Sequence, residues 1–296
     1  MLLCGGRCCS LGLYEFGYFV QVGMLQIFAR RVLLLREVIS VPTTRFFTQQ
    51  HWNLLSVSNQ PLKKSAAHDK LKSARKCGDD MTGLFNVSFS YGKRRILDNL
   101  SFSVGAGECV VLAGPNGSGK STALSILAGI FRPDSGEVRT EGRIGYVPQG
   151  TALFEDMTVG DNLRFFAGMT GAAVQNPLPF DVERMWSRKV SKLSEGMKKR
   201  VSIAGALLGE PQLVLLDEPC ASLDVEYREE LVLLVHELKK QGSAIVYVSH
   251  DPMEVASFYD KVVFFGETPV IYTREQLSGE PEDANVFYRR FLELFY

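Results

Sequence analysis

Short apolar runs alternate with segments of helical periodicity from residue 81 to residue 296. Short apolar or alternating runs are typical of strands, and apolar residues spaced three and four apart are typical of helices. Strands are predicted at 84–91, 96–104, 109–113, 143–149, 212–219 and 243–250, with a hairpin at 262–272. Helices are predicted at 121–131, 158–168, 194–209, 224–242 and 283–295, with a loop at 171–180.

Strands that alternate with helices predict an α/β fold, in which helices cover a mainly parallel sheet on both sides. Thr158 opens one helix with Asp161 three residues on, which is the spacing of a capping box. The segment 283–295 carries its apolar residues on one helical face. We expect that face to pack on the body, with a dimer contact as the alternative. The pattern predicts one domain over residues 81–296.

Residues 1–80 differ in composition from the rest of the chain. Glu15 and two glutamines interrupt the apolar segment 11–28, so it lacks the ~20 consecutive apolar residues of a membrane span. The polar composition after Arg45 predicts a poorly ordered, basic N-terminal extension. Its arginines suit a membrane surface or an organelle-targeting leader. The alternative is that translation starts at Met81.

Charge and cysteine content narrow the possible functions. Residues 1–80 carry 11 Lys and Arg against 5 Asp and Glu, whereas residues 81–296 carry 22 against 28. A net charge of −6 on the body argues against nucleic acid as its principal partner. The six cysteines show no zinc-binding spacing, and a disulfide framework is not expected. A reducing compartment fits this pattern best.

The segment GPNGSGKS, residues 114–121, matches the phosphate-binding pattern G-x-x-x-x-G-K-[ST]. A predicted buried strand precedes it and a predicted helix follows. Glycines let backbone N–H groups turn toward phosphate oxygens, and the helix N-terminus adds a favourable dipole. We expect Lys120 to reach the β- and γ-phosphates and Ser121 to hold Mg²⁺. An ordinary glycine-rich turn is the alternative.

The apolar strand LVLLDE, residues 213–218, ends in two acidic residues. Asp217 is predicted to lie near the metal ion, and Glu218 to orient and polarise an attacking water. Many loops begin with two acidic residues, so this pattern alone is weak. Its position after a phosphate-binding loop makes it a much stronger indication of a nucleotide site.

In their order along the chain, these motifs resemble those of the ATP-binding cassette (ABC) ATPases, over about residues 82–296. The resemblance implies a P-loop NTPase fold of ABC type. That fold has a mainly parallel core sheet, an antiparallel β-subdomain and a small α-helical subdomain. The resemblance implies ATP and Mg²⁺ as cofactors. The phosphate-loop residues that it implies for ATP binding are Gly114, Pro115, Asn116, Gly117, Ser118, Gly119, Lys120, Ser121 and Thr122.

Four further residues match motifs of the same family. Tyr91 stands where the family has an aromatic that stacks on adenine, and Gln149 matches the Q-loop glutamine. Asp224, in SLD, matches the D-loop, and His250 matches the switch histidine that contacts the γ-phosphate. A single His after a strand is more often structural, but here the whole series favours the functional role. The resemblance implies catalytic roles for Lys120, Gln149, Glu218 and His250, and metal binding by Ser121, Gln149 and Asp217.

The segment LSEGM, residues 193–197, stands where the family has its signature motif, LSGGQ. Ser194 and Gly196 match, whereas Glu195 and Met197 depart from the pattern. In the family this helix start binds the γ-phosphate held by a second cassette, a helix N-terminus facing an anion. Because a carboxylate would repel that phosphate, we expect Glu195 to point away. Similar departures occur in many export-type cassettes.

The resemblance implies an ATPase that powers a membrane transporter, with a leaning to export. It implies separate transmembrane permease subunits, a homodimer or a paralogous second cassette, and a peripheral position at the cytoplasmic face of a membrane. No nucleic acid partner is expected. Segment 150–192 is expected to form the helical subdomain that grips the permease. Phe154, Phe165 and Phe166 there form either an apolar contact surface or part of the core.

Two other functions remain as alternatives. One is a soluble ABC ATPase that acts on ribosomes or DNA, and the other is a nucleotide-dependent switch that hydrolyses little ATP. Ribosomal members usually carry two cassettes, and DNA-repair members have a long coiled-coil insertion. Here only 97 positions separate Lys120 from Asp217. A switch would be expected to lack Glu218 or His250, so the transporter function is favoured.

Overall fold

A computed structural model describes residues 81–174, 177–220, 225–279 and 283–295. The strands are β1 (Thr82–Tyr91), β2 (Arg94–Val104), β3 (Cys109–Ala113), β4 (Ser135–Arg139), β5 (Ile144–Val147), β6 (Leu213–Asp217), β7 (Ala244–Val248), β8 (Lys261–Phe265) and β9 (Pro269–Thr273). The helices are α1 (Lys120–Leu127), α2 (Val159–Thr170), α3 (Glu195–Ala206), α4 (Val225–Lys240), α5 (Pro252–Val255), α6 (Arg274–Ser278) and α7 (Ala284–Glu293). The predicted extension, residues 1–80, and Asp224 lie outside the described residues.

The larger sheet has the strand order β5-β6-β7-β3-β8-β9. Its neighbouring strands pair in parallel except for β9, which runs antiparallel to β8 as the predicted hairpin. Every residue of β3, β6 and β7 is buried. Burial of both faces explains why these strands are continuous apolar runs without alternation. The predicted mainly parallel core sheet is confirmed.

A second, antiparallel sheet has the order β2-β1-β4. Leu97, Leu100 and Phe102 of β2 are buried and share one hydrophobic core with Leu112 of the larger sheet. This sheet is the antiparallel β-subdomain that the resemblance implied. Strand β4 was not predicted, because its sequence SGEVR has little apolar character. Backbone pairing with β1 defines it.

The helical subdomain is built from α2, α3 and two 3-10 segments, Pro179–Met185 and Val190–Lys192. The Thr158 hydroxyl accepts a hydrogen bond from the Asp161 backbone N–H at 3.1 Å, which confirms the predicted cap. Asp161 completes the cap by accepting from the Thr158 hydroxyl at 2.7 Å. Part of the predicted loop 171–180 belongs to the first 3-10 segment.

Phe154, Phe165 and Phe166 of this subdomain have different environments. Phe166 is buried in the core of the subdomain. Phe165 is 38% exposed and Phe154 is half-buried, and their ring centroids lie 5.1 Å apart at nearly right angles. The core alternative therefore holds for Phe166 alone of these three residues. Phe154 and Phe165 form a partly exposed aromatic pair.

The C-terminal helix α7 packs on the body, as its one-sided apolar pattern predicted. Phe287 and Phe291 are buried, and Phe287 stacks on Tyr259 with ring centroids 4.4 Å apart. Among the described residues, no helix is long and apolar enough to cross a membrane.

Candidate nucleotide-binding site

The glycine-rich loop lies between buried strand β3 and helix α1, as the sequence predicts. Gly119 is the N-cap of α1 with φ 105°, in the left-handed region that favours glycine. A Cβ atom at this position would lie 2.7 Å from Leu97 Cδ2 and 3.0 Å from Ile96 Cγ2. A side chain there would therefore both strain the backbone and clash with β2.

The Lys120 side chain is folded into this loop. Its Nζ donates to the Gly114 carbonyl at 2.8 Å and to the Pro115 carbonyl at 2.9 Å. Burial lowers the pKa of Lys120, while the negative charges of Glu218 and Asp217 act in the opposite direction. The ammonium group thus lies at the centre of the loop with two carbonyl acceptors. It can exchange one of these acceptors for a phosphate oxygen.

Two oxygen ligands suited to a divalent cation meet beside the loop. Ser121 Oγ donates to Asp217 Oδ1 at 3.1 Å. Burial raises the pKa of Asp217, although the hydrogen bond from Ser121 opposes that shift. A hydroxyl and a carboxylate are the hard oxygen donors that Mg²⁺ prefers. Strand β6 delivers Asp217 here from two strands away in the sheet.

Glu218 is the junction of the predicted catalytic groups. Gln149 Nε2 donates to Glu218 Oε2 at 3.1 Å, and His250 Nδ1 lies 3.8 Å from Glu218 Oε1. Glu218 has φ 45°, a conformation that is uncommon for non-glycine residues and often found at functional sites. Its backbone N–H donates to the Val248 carbonyl at 3.1 Å, which ties it to strand β7.

These groups open into a cleft of about 450 Å³. It is lined by Tyr91, Arg94, Ile96, Asn116, Gly117, Gly119, Lys120, Ser121, Thr122, Gln149, Glu218 and His250. The sequence analysis singled out all of these residues except Arg94 and Ile96. Arg94 pairs opposite Tyr91 in the β1–β2 hairpin. The two-residue turn Gly92-Lys93 was the signal that places Arg94 beside the predicted adenine-stacking residue.

Tyr91 presents its ring at the rim of the cleft. The side chain is 49% exposed, and it meets Phe89 and Phe131 edge-on with centroid distances of 5.0 Å and 5.7 Å. These contacts hold the ring at the rim, where about half of the side chain stays accessible to an aromatic base. The arrangement supports the stacking role that the resemblance implied.

We predict that Tyr91→Ala weakens ATP binding by about 5- to 100-fold, because base–aromatic stacking contributes about 1–3 kcal/mol. Tyr91→Phe keeps the ring and is the matched control, with expected affinity within about two-fold of wild type. Titration with a fluorescent ATP analogue measures both. Equal losses in the two variants would show that the hydroxyl group, and not stacking, is responsible.

The signature segment is placed away from this cleft. Ser194 is the N-cap of α3, and its hydroxyl accepts from the Met197 backbone N–H at 3.3 Å. Neither Ser194 nor Gly196 lines the cleft. The side chain of Glu195 is 78% exposed and pairs with Lys198 at 3.0 Å. The structure therefore leaves Ser194 and Gly196 outside the cleft that holds Lys120, Gln149, Glu218 and His250.

Lys199 in α3 is a residue that sequence analysis missed. Its buried Nζ donates to the carbonyls of Pro148 and Gln149 at 2.9 Å and 2.8 Å, and burial lowers its pKa. It thereby links the signature helix to the backbone of the Q-loop glutamine. In the sequence, Lys199 is one of three consecutive basic residues. Only the fold distinguishes it from Lys198.

The loop geometry and the two carboxylates at the end of β6 define a P-loop nucleotide-binding ATPase. The family of ABC transporters matches residues 97–221. The chain belongs to this family of ATP-binding proteins, and it is an ATPase that binds ATP.

Three curated relatives illustrate the range of the family. The chain is 33% identical over 216 residues to the linearmycin resistance ATP-binding protein LnrL of Bacillus subtilis (strain 168), covering 66% of this chain and 70% of LnrL. It is 38% identical to the Nod factor export ATP-binding protein I of Paraburkholderia xenovorans (strain LB400), and the match covers 55% of this chain and 60% of that protein. It is 34% identical to the probable sulfate/thiosulfate import ATP-binding protein CysA of Chlorella vulgaris, and the match covers 71% of this chain and 97% of that protein.

Among solved structures, one similar chain is an ATP-binding cassette in a dimeric, post-hydrolysis state bound to ADP and Pi. It shows a TM-score of 0.59 and 28% identity, covering 65% of this chain and 98% of that chain. The likeness confirms the predicted fold class, with its parallel core, antiparallel sheet and helical subdomain.

Proposed function

We propose that the chain is the ATP-hydrolysing subunit of an exporter and binds separate transmembrane permease subunits at the cytoplasmic face of a membrane. The proposal rests on the separation of Ser194 from the nucleotide-binding cleft. The cleft gathers the phosphate-binding and water-activating groups, whereas Ser194 at the start of α3 is not part of it. A second cassette is needed to bring an equivalent Ser194 to the γ-phosphate.

The residues of the cleft fit ATP with Mg²⁺. Among the described residues, no three His, Cys, Asp or Glu side chains are grouped to hold a metal ion. Ser121 and Asp217, with Gln149 nearby, would therefore hold Mg²⁺ together with phosphate oxygens of the nucleotide, which is how Mg²⁺ usually binds. The ion would neutralise phosphate charge. Lys120 contributes a second positive charge from the loop.

Glu218 is the proposed general base. Its carboxylate takes a proton from the attacking water as the water oxygen bonds to the γ-phosphorus and the bond to the β–γ bridging oxygen breaks. Gln149 and His250 flank Glu218 and complete the shell around the γ-phosphate. ADP and phosphate leave, and loss of the γ-phosphate removes the contact that holds the second cassette closed.

The dimeric state of the similar cassette supports closure of two cassettes around ATP. The partner is a second copy of this chain or a paralogous cassette. The D-loop residue Asp224, which follows β6 in the sequence, is proposed to contact the partner's nucleotide. In a closed dimer, the N-terminus of α3 faces the γ-phosphate with Ser194 and backbone N–H groups.

The Glu195 carboxylate is expected not to touch that phosphate. It pairs with Lys198, which also binds Glu155 at 2.9 Å. We predict that Glu195→Gln changes the ATPase rate by less than about three-fold, because exposed ion pairs contribute little. Ser194→Ala is expected to lower it by about ten-fold, because a hydrogen bond to a charged group is lost. Steady-state ATPase assays measure both.

A large rise in ATP-driven dimerisation for Glu195→Gln would contradict this prediction, because it would show that the wild-type carboxylate repels the phosphate. Light scattering at increasing ATP concentration detects that rise. Lys192→Gln, a charge change at an exposed neighbour, is the matched control for nonspecific charge effects.

Two features of the helical subdomain support a membrane partner. Phe154 and Phe165 form a partly exposed aromatic pair, and the neighbouring Arg164 guanidinium lies 5.0 Å from the Trp186 ring centroid. Aromatic and arginine side chains are enriched in protein interfaces. The acidic charge of the body does not favour nucleic acid. The leaning to export rests on the Glu195 and Met197 departures and on the name of the Nod factor relative.

Co-purification tests the proposed partner. The chain is tagged at its C-terminus, expressed in its native cells, and extracted from gently solubilised membranes. We expect a multi-span protein in stoichiometric amount, and Phe165→Glu is expected to reduce its recovery. A tagged protein found only with ribosomes or DNA factors would favour the soluble alternative. Uptake by inside-out vesicles, once the permease is identified, tests the direction of transport.

A further inference from the structure

A buried carboxylate lies next to the site but outside the cleft. Glu254, in helix α5, is only 9% exposed. Ser249 Oγ donates to its Oε2 at 2.5 Å, and the Tyr247 hydroxyl donates to its Oε1. In the described part of the chain, no basic side chain forms an ion pair with Glu254.

A carboxylate in this position needs its two hydroxyl donors. Removing a charged group from water is costly unless hydrogen bonds replace the lost solvation. A carboxylate only accepts hydrogen bonds, and hydroxyl donors to it form short, strong bonds. Both oxygens of Glu254 are satisfied in this way. The carboxylate therefore fixes the positions of Tyr247 and Ser249 more firmly than an apolar residue at 254 would.

The first of these bonds acts on the segment that carries His250. Ser249 Oγ also accepts from the Asp251 backbone N–H at 3.0 Å. The Ser249 hydroxyl thus links the two neighbours of His250 to each other and to Glu254. Asp251 in turn accepts from Arg228 of α4 at 3.2 Å. The imidazole itself is 61% exposed. Its position therefore depends on the backbone that Ser249 and Asp251 anchor.

The second bond acts on the segment that carries Glu218. The Tyr247 hydroxyl lies 3.8 Å from the Sγ atom of Cys220, two residues after Glu218. Burial raises the pKa of both Tyr247 and Cys220, so both groups stay neutral at physiological pH. Glu254 thus contacts, through one hydroxyl each, the two chain segments that carry the proposed base and the switch histidine.

We propose that Glu254 is a positioning residue that sets the distance between His250 and Glu218. The Nδ1 atom of His250 and the Oε1 atom of Glu218 lie 3.8 Å apart. The inference rests on the proposed roles of Glu218 and His250 in ATP hydrolysis. It assigns to Glu254 an effect on the chemical step and none on ATP binding, because Glu254 does not line the cleft.

The test is a double-mutant cycle between Glu254→Gln and His250→Ala in the full chain. Glu254→Gln keeps the side-chain volume but replaces one acceptor oxygen with a donor. We expect it to lower kcat by about ten-fold and to leave KM for ATP within about two-fold of wild type. In the His250→Ala background, where hydrolysis is followed over hours, we expect no further loss beyond about two-fold.

A matched control separates positioning from simple loss of stability. Asp260 accepts from Lys239 at 2.6 Å and from the Cys109 N–H at 2.7 Å, and its side chain is partly exposed and does not line the cleft. Asp260→Asn is expected to lower Tm without changing kcat for the folded protein. Tyr247→Phe removes one donor to Glu254 together with the contact of that hydroxyl to Cys220 Sγ. It provides a second variant if Glu254→Gln does not fold, with an expected loss in kcat of about three-fold.

The outcomes distinguish the two levels of inference. If wild type hydrolyses no ATP, or if Glu218→Gln turns over normally, the proposed function fails. If those two behave as expected but Glu254→Gln lowers kcat equally with and without His250, the positioning role is wrong. A fall in Tm with unchanged kcat in both Glu254→Gln and Tyr247→Phe would also overturn it.

Discussion

Replacement of Glu218 with Gln is expected to lower kcat for ATP hydrolysis by about 100- to 10,000-fold, the usual contribution of a general base. The substitution keeps the shape of the side chain. A Gln at 218 still offers a carbonyl oxygen to Gln149 Nε2, which donates to Glu218 Oε2 at 3.1 Å in the native protein. It cannot take a proton from the attacking water. ATP binding should therefore persist while the chemical step fails.

Because hydrolysis is proposed to reopen the dimer, the Glu218→Gln variant should accumulate as an ATP-bound dimer. Size-exclusion chromatography with light scattering, with ATP and then with ADP, should show a dimer only with ATP. Glu267→Gln, an exposed change in the β8–β9 turn, is the matched control and should behave as wild type. Normal turnover in Glu218→Gln would contradict the assignment of the base.

Lys120→Ala is expected to weaken ATP binding by about 10- to 100-fold, because hydrogen bonds from a charged donor contribute about 1.5–3 kcal/mol. Lys120 is only 6% exposed, and its ammonium group lies between the Gly114 and Pro115 carbonyls. Removing it takes away both a phosphate ligand and a brace of the loop. Equilibrium titration with ATP and with ATP plus Mg²⁺ measures the loss.

Lys120→Met separates the two contributions, because it keeps the buried side-chain stem and removes only the charge. Both variants should lose affinity, and Lys120→Ala should also show the lower Tm. Lys240→Ala, at an exposed position near the end of α4, controls for the loss of one positive charge. Wild-type affinity in Lys120→Met would show that the loop glycines alone hold the phosphates.

Most parts of the candidate site could be predicted from the sequence because they are contiguous motifs. The phosphate loop, Gln149, Glu218 and His250 each follow a strand of the parallel sheet, and the parallel arrangement brings those strand ends to one edge. Tyr91, at the end of β1 in the antiparallel sheet, joins Lys120, Gln149, Glu218 and His250 in the cleft. Asp224 stays a prediction, because it lies outside the described residues.

Features that depend on contacts between distant segments could not be predicted from the sequence. Strand β4 has too few apolar residues to be recognised, and only its pairing with β1 makes it a strand. Arg94 and Ile96 reach the cleft because the β1–β2 hairpin folds over the loop. The sequence does not distinguish Phe154, Phe165 and Phe166, but of these three only Phe166 is buried.

The sequence by itself determined the class of protein and indicated which residues form the candidate site. A phosphate loop works through consecutive backbone N–H groups and one lysine, so a local stretch of residues is enough to specify it. The alternation of buried strands with helices similarly specified the parallel core, since the apolar pattern of each segment indicates whether it forms a strand or a helix.

Only the tertiary structure decided how those groups are supported. It separates Ser194 from the cleft, joins Lys199 to the Q-loop backbone, and buries Glu254 between the segments of Glu218 and His250. Each of these contacts joins chain segments through side chains whose burial and partners depend on packing. A sequence pattern records residue types and spacing, whereas desolvation and hydrogen-bond geometry arise only when distant segments meet.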